Sequence, residues 1–142
     1  LNELPPDLVA ALERAFRTHP FGALMGIRLV SVGTGRATVA MTASSHQANL
    51  HGTLHGGAIA TLLDMAMGAA VYTLNVRAVT VELVVTYLAP VSPGEEVTAT
   101  GEVTHPGRRI IVVQSAVQGP AGTVARGHGL YLPRGSFLEF EP

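Results

Sequence analysis

The sequence contains no cysteine, and only 13% of its residues are charged, about half the roughly 25% usual for a soluble globular protein. The first absence excludes a disulfide framework, a thiolate metal site and a thiol nucleophile, and it fits a cytoplasmic location. The formal net charge is −1, so no basic field gathers nucleic acid, and neither a Lys/Arg block nor an RNA-binding aromatic signature replaces it. An apolar run of membrane-spanning length is also missing. The longest, Ala58 to Leu74, is interrupted by Asp64 and becomes polar towards its flanks, which argues against contact with lipid. The chain opens Leu-Asn-Glu-Leu with no basic-then-apolar leader, and a trimmed N-terminus stays open.

Apolar residues, by contrast, make up 47% of the 142 residues. That length suits one compact domain, 1–142, with an N-terminal helix within 1–20 and a tail over 133–142. So little charge suggests that other copies of the chain cover part of the surface; the competing account is a surface built from Thr, Ser, Gln and His.

After Pro5-Pro6, Asp7 is expected to cap a helix with apolar Leu8, Ala11, Leu12, Ala15 and Phe16 at helical spacing, ending near His19-Pro20. Ile27 to Thr42 reads as a hairpin about Gly33-Thr34-Gly35. A polar loop, Ser44 to Leu54, leads to a helix over Gly57 to Leu74 that is apolar on nearly every face and must be buried. Strands are expected over Ala78 to Leu88, Glu96 to His105, Arg108 to Gln118 and Thr123 to Leu132. The short separators Pro90 to Gly94, Pro106-Gly107 and Gly119 to Gly122 predict a meander of antiparallel neighbours. The sum is an α+β fold, an antiparallel sheet curled around one long central helix. A single sheet leaves part of that helix bare, and a second copy supplies the remainder.

Asp64 carries the strongest chemical signal, as the one charged residue in an apolar helix, where an unpaired carboxylate is costly to bury. The competing account is a structural ion pair with Arg77 or Arg126. Upstream, Asn49-Leu50-His51-Gly52-Thr53-Leu54-His55-Gly56-Gly57 delivers two glycines to the helix start, where free N–H groups and the positive end of the helix dipole form a ready oxyanion hole. A plain Gly-rich helix entry is the alternative. Phosphate-loop, HExxH and G-x-S-x-G signatures are absent, and His46, His51 and His55 have no carboxylate spaced among them. No metal is expected.

The pattern Asn49-x-x-Gly52-x-x-His55-Gly56-Gly57 followed by Asp64 resembles the signature of the PaaI-type acyl-CoA thioesterases and their human thioesterase-superfamily relatives. The likeness extends from about Gly26 to Leu132. It implies a hotdog fold, edge-to-edge pairing into dimers and, commonly, homotetramers. It also implies that the Gly56 N–H polarises the thioester carbonyl, that Asn49 and His55 orient the group, and that Asp64 acts as nucleophile or general base. Thr80 falls where relatives carry a hydroxyl that positions the attacking water. No cofactor is implied, since coenzyme A is part of the substrate; Gly57, Arg108, Arg109 and Arg126 are its expected contacts, with Arg134 behind them. Exposed strand-end arginines are the competing account.

Asp64 and Gly56 lie eight residues apart, near 12 Å along a helix and too far to act on one carbonyl. Two chains must therefore cooperate, with Gly56 of one and Asp64 of the other converging at an antiparallel helix interface. The acyl group is expected to be aromatic, such as phenylacetyl or hydroxyphenylacetyl, or of medium chain length. A chain only 5% aromatic points to a mostly aliphatic pocket, with Met25, Met65 and Met67 as candidate walls. Two rivals stay in view: a hotdog hydratase or dehydratase, whose customary motif is missing, and an acyl-CoA-binding module without turnover, for which the helix carboxylate would serve no purpose.

Overall fold

The computed structural model describes residues 3–140; the outermost two residues of the expected N-terminal helix and of the expected tail lie outside them. Helix α1 (Pro6–Thr18) buries Leu8 and Leu12, two of the positions set by its period. Asp7 sits in its first turn rather than at the cap, because Pro6 takes the opening helical position. A short helix that the periodicity did not predict, α2 (Pro20–Met25), follows at once. His19 starts it by accepting a hydrogen bond from the Gly22 N–H at Nδ1, 2.9 Å. Gly26, in the left-handed region at φ 70°, ends it.

Strands β1 (Arg28–Gly33) and β2 (Arg36–Thr42) form the expected hairpin. The central helix α3 runs Gly56–Tyr72, and β3 (Val76–Tyr87), β4 (Glu96–Pro106), β5 (Ile111–Gly119) and β6 (Gly122–Ser136) complete the sheet. All six strands pair antiparallel in the order β1-β2-β4-β5-β6-β3, and the sheet packs around α3. This is the expected α+β arrangement.

The simple meander is corrected. β3 pairs with β6 at the far edge instead of with β4. The link after Tyr87 has eight residues before Glu96, enough to cross three strand spacings, about 14 Å. It is anchored on the way by Val91, which is buried and whose carbonyl accepts from the Leu54 N–H at 2.8 Å. Two boundaries also move. Arg108 and Arg109 lie in the turn before β5, and β6 continues to Ser136, so Pro133 to Ser136 belong to a strand paired with the start of β3 rather than to a tail.

The core lies between α3 and the concave face of the sheet, with Leu62, Leu63, Met67, Val71, Val39, Met41, Val97, Val113 and Val117 fully enclosed. One stripe of α3 is not fully covered: Gly57, Ala60, Thr61, Asp64 and Gly68 recur at helical spacing and keep partial exposure. β3 is likewise bare along its outer edge, with Val79, Val81, Val84 and Tyr87 exposed.

Candidate active site

The start of α3 is built by its own residues. His55 is the N-cap, and its Nδ1 accepts from the Gly57 N–H at 2.8 Å. That commits the Gly57 amide and leaves the Gly56 N–H as the amide at this end without a partner among the described residues. A Cβ at Gly56 would stand 3.1 Å from Cζ of Tyr87, closer than ordinary contact, so that ring would have to give by a few tenths of an ångström. The Tyr87 hydroxyl in turn donates to the Gly56 carbonyl at 2.7 Å. Asn49 is spent on its own loop. Its Oδ1 accepts from the N–H groups of His51 (2.9 Å) and Thr53 (3.1 Å), and its Nδ2 donates to the Thr53 hydroxyl at 2.9 Å. Both side chains therefore shape the turn that delivers Gly56.

Two turns further along α3, Asp64 is half-buried. Its Oδ1 accepts from the Thr80 hydroxyl at 2.8 Å and from the Tyr131 hydroxyl at 2.6 Å, and Tyr131 also reaches the Asp64 carbonyl at 3.2 Å. The competing ion-pair account of Asp64 is thereby removed: among the described residues the ion pairs are Arg28–Glu96 (2.8 Å) and Arg36–Glu102 (2.7 Å). Burial first, and the neighbouring Asp64 carboxylate second, push the Tyr131 hydroxyl above its ordinary value, and the same two causes raise Tyr72 against the opposing charge of Arg77. Both phenols thus stay protonated, and Tyr131 remains a donor to the carboxylate.

Thr80 reaches α3 because β3 is bulged. The register with β6 shifts between Thr80 and Glu82, so Thr80 pairs with Tyr131, while Leu83, Val85 and Tyr87 pair with Gly129, Gly127 and Ala125. Plain alternation would have put Thr80 on the outer face with Glu82 and Val84; the extra residue turns it inward.

Asp64 opens into a cleft of about 120 Å³ walled by Phe16, His19, Met65, Tyr72 and Tyr131. Three of the few aromatic side chains, Phe16, Tyr72 and Tyr131, converge here, brought by α1, α3 and β6. Of the three methionines, Met65 lines this cleft, Met25 lines a separate groove beside His55 and Gly57, and Met67 is sealed in the core. Tyr131 and Phe16 were missed by sequence reasoning. Their burial pattern is that of core residues, and nothing local marks the contact with Asp64.

Arg108 and Arg109 are exposed in the turn that precedes Ile111, which pairs with Tyr131. They stand at the end of the sheet that also holds Asp64. Arg126 does not join them. It alternates with inward Ala125 and Gly127 and lies on the outer face of the sheet beside Arg36 and Glu102.

The family model for the thioesterase superfamily matches residues 51–124. The chain belongs to the thioesterase superfamily. It is 33% identical to the acyl-coenzyme A thioesterase PaaI of Escherichia coli over 60% of its own length and 61% of that protein's. With mouse acyl-coenzyme A thioesterase 13 it shares 31% over 78% of its own length and 81% of the relative's. The E. coli PaaI structure, from the phenylacetic acid degradation operon, superposes with a TM-score of 0.88 at 26% identity, covering 94% of this chain and 98% of that one. A Streptococcus mutans protein bound to acetyl-CoA matches with a TM-score of 0.75 at 27% identity, over 78% and 90% of the two chains. The expected hotdog fold and PaaI-type kinship are both shown, and a thioester hydrolase is the class to which this superfamily member is assigned.

Proposed function

We propose that the protein hydrolyses acyl-CoA thioesters, with Asp64 as the reacting carboxylate and the Gly56 N–H of a second subunit as the oxyanion donor. The observation that carries this reading is the state of Asp64: two hydroxyls hold one of its oxygens, no arginine neutralises it, and Oδ2 has no partner among the described residues. A carboxylate so fixed and so open to a cleft is ready either to attack the carbonyl carbon or to take a proton from a water that does. The developing negative charge on the carbonyl oxygen falls to the Gly56 amide and the helix dipole behind it, and coenzyme A leaves as its thiolate. The Streptococcus relative bound to acetyl-CoA and the named acyl-CoA thioesterases support coenzyme A as the carrier.

Two anchors on β3 indicate how the subunits meet. Thr80 binds Asp64, and Tyr87 binds Gly56. An antiparallel β3–β3 pairing centred on Val84, with the bulged Val81 left out of the register, sets Thr80 of one chain opposite Tyr87 of the other. Each Asp64 then faces the partner's helix start. The same pairing satisfies the bare edge of β3 and lays the small-residue stripe of α3 against its copy. Arg108 and Arg109 are the proposed phosphate contacts, at the Asp64 end. The cleft walled by Phe16, Met65 and Tyr72 suits a phenyl-sized or short acyl body. Further pairing into tetramers stays part of this proposal.

Asp64→Asn tests the reading. Release of free thiol from acyl-CoA should fall below detection while binding of the thioester persists. A variant that still turns over at the wild-type rate would remove Asp64 from the chemistry. Single-turnover reaction in heavy-oxygen water then separates the two roles, since only nucleophilic attack places the label in Asp64.

A further inference from the structure

The Asp64 cleft does not end at Tyr72 and Ala78. Beyond these two residues lies a second, open cleft of about 820 Å³, whose walls include Tyr72, Arg77, Ala78, Arg134 and Phe140. Two arginines line it and, among the described residues, no carboxylate does. Among the described residues neither arginine belongs to an ion pair. Arg77 is held rigidly: its Nη2 donates to the Arg134 carbonyl at 2.8 Å, and its guanidinium stands 4.3 Å from the centre of the Phe140 ring. Its Nε is shut off from solvent and has no hydrogen-bond partner among the described residues. A half-buried guanidinium beside an open cleft, with no counter-ion among the described residues, is stabilised by an anion that enters the cleft.

We propose that this second cleft receives the far end of the acyl group and selects one that ends in a carboxylate, held between Arg77 and Arg134. The inference rests on the proposed function, because Asp64 and Thr80 must mark the thioester carbonyl. Ala78 precedes Thr80 by two residues, about 7 Å along the strand. That matches the span of a dicarboxylic acyl chain of about adipyl length. Coenzyme A brings anions of its own, but the whole pantetheine arm separates its phosphates from the carbonyl, which sets them beyond a cleft this close. Arginine suits the task because its planar fork binds both oxygens of a carboxylate.

The test compares adipyl-CoA, its neutral amide-ended analogue and hexanoyl-CoA on the full chain, each also prepared as the phosphate-free pantetheine thioester. The wild-type protein should favour the carboxylate over the amide by about tenfold or more in kcat/KM. Arg77→Met should collapse that ratio towards one, on the CoA and pantetheine series alike. Arg134→Gln, at an exposed position, should lower it by a smaller factor and guards against a folding defect in the first variant. An indifferent wild-type protein would overturn the proposal, as would an Arg77→Met effect confined to CoA esters, which assigns the cleft to phosphate, or an equal loss on all thioesters, which makes Arg77 structural. Should hexanoyl-CoA be hydrolysed without any end-group preference, this inference alone fails; should no thioester be hydrolysed, the reading of Asp64 fails first.

Discussion

Asp64 has two carboxylate oxygens, and the fold treats them differently. Oδ1 takes both hydroxyls, Thr80 and Tyr131, so the side chain is fixed in one rotamer with Oδ2 towards the cleft. Removing the buried donor with Tyr131→Phe should lower kcat about tenfold with little change in KM, the expected scale for a hydrogen bond to a charged group. Steady-state rates of thiol release measure it. The same tyrosine has a thermodynamic signature. Its folded-state pKa is raised above 10.0, so its contribution to stability is complete below that value and is lost as pH rises past it, where the unfolded chain sheds the proton more readily. Denaturant melts from pH 10 upwards should therefore fall less steeply in Tyr131→Phe than in the wild-type protein. Little of this pairing is legible in the sequence. Asp64 is conspicuous as a charge among apolar neighbours, but Tyr131 lies 67 residues away on a strand whose alternation explains its burial without reference to any carboxylate.

The elements determine where these residues can stand. Helix α3 passes so close to the sheet that a Cβ at Gly101 would collide with the Ala66 carbonyl. Gly101→Ala should accordingly destabilise the fold by about 1–3 kcal/mol or more in equilibrium unfolding, since backbone on both sides prevents relaxation. At the other end, Gly56 occupies the first helical position after His55, whose φ of −62° and ψ of 138° suit a residue before proline. Gly56→Pro thus deletes the amide proton while keeping the helix start. It should reduce kcat by about two to three orders of magnitude, the scale of a lost oxyanion donor. Gly56→Ala adds the same Cβ against Tyr87 yet keeps the amide, and should lose far less. Periodicity predicted the β1–β2 hairpin and the central helix because each follows a local rule. The pairing of β3 with β6, the bulge that turns Thr80 inward and helix α2 depend on long-range packing or on single caps, and the alternation of polar and apolar residues carries no trace of them.

At the scale of the whole molecule, low charge, a partly bare helix stripe and an open apolar strand edge describe one surface. The bare edge of β3 and the small-residue stripe of α3 support the proposal that a second copy covers this surface. Val84 is 41% exposed and stands on the proposed two-fold axis, opposite its own copy. Val84→Glu would set like charges against each other there, and light scattering should show monomers with little thiol release. The central claim is that one site draws Asp64 and Gly56 from different chains. It is tested most directly by mixing and refolding Asp64→Asn with Gly56→Pro, each inactive alone. Random pairing leaves one intact site in half of the dimers, so about a quarter of wild-type activity should return. A mixture that stays silent while gel filtration shows mixed dimers would contradict the shared site and return both groups to a single chain.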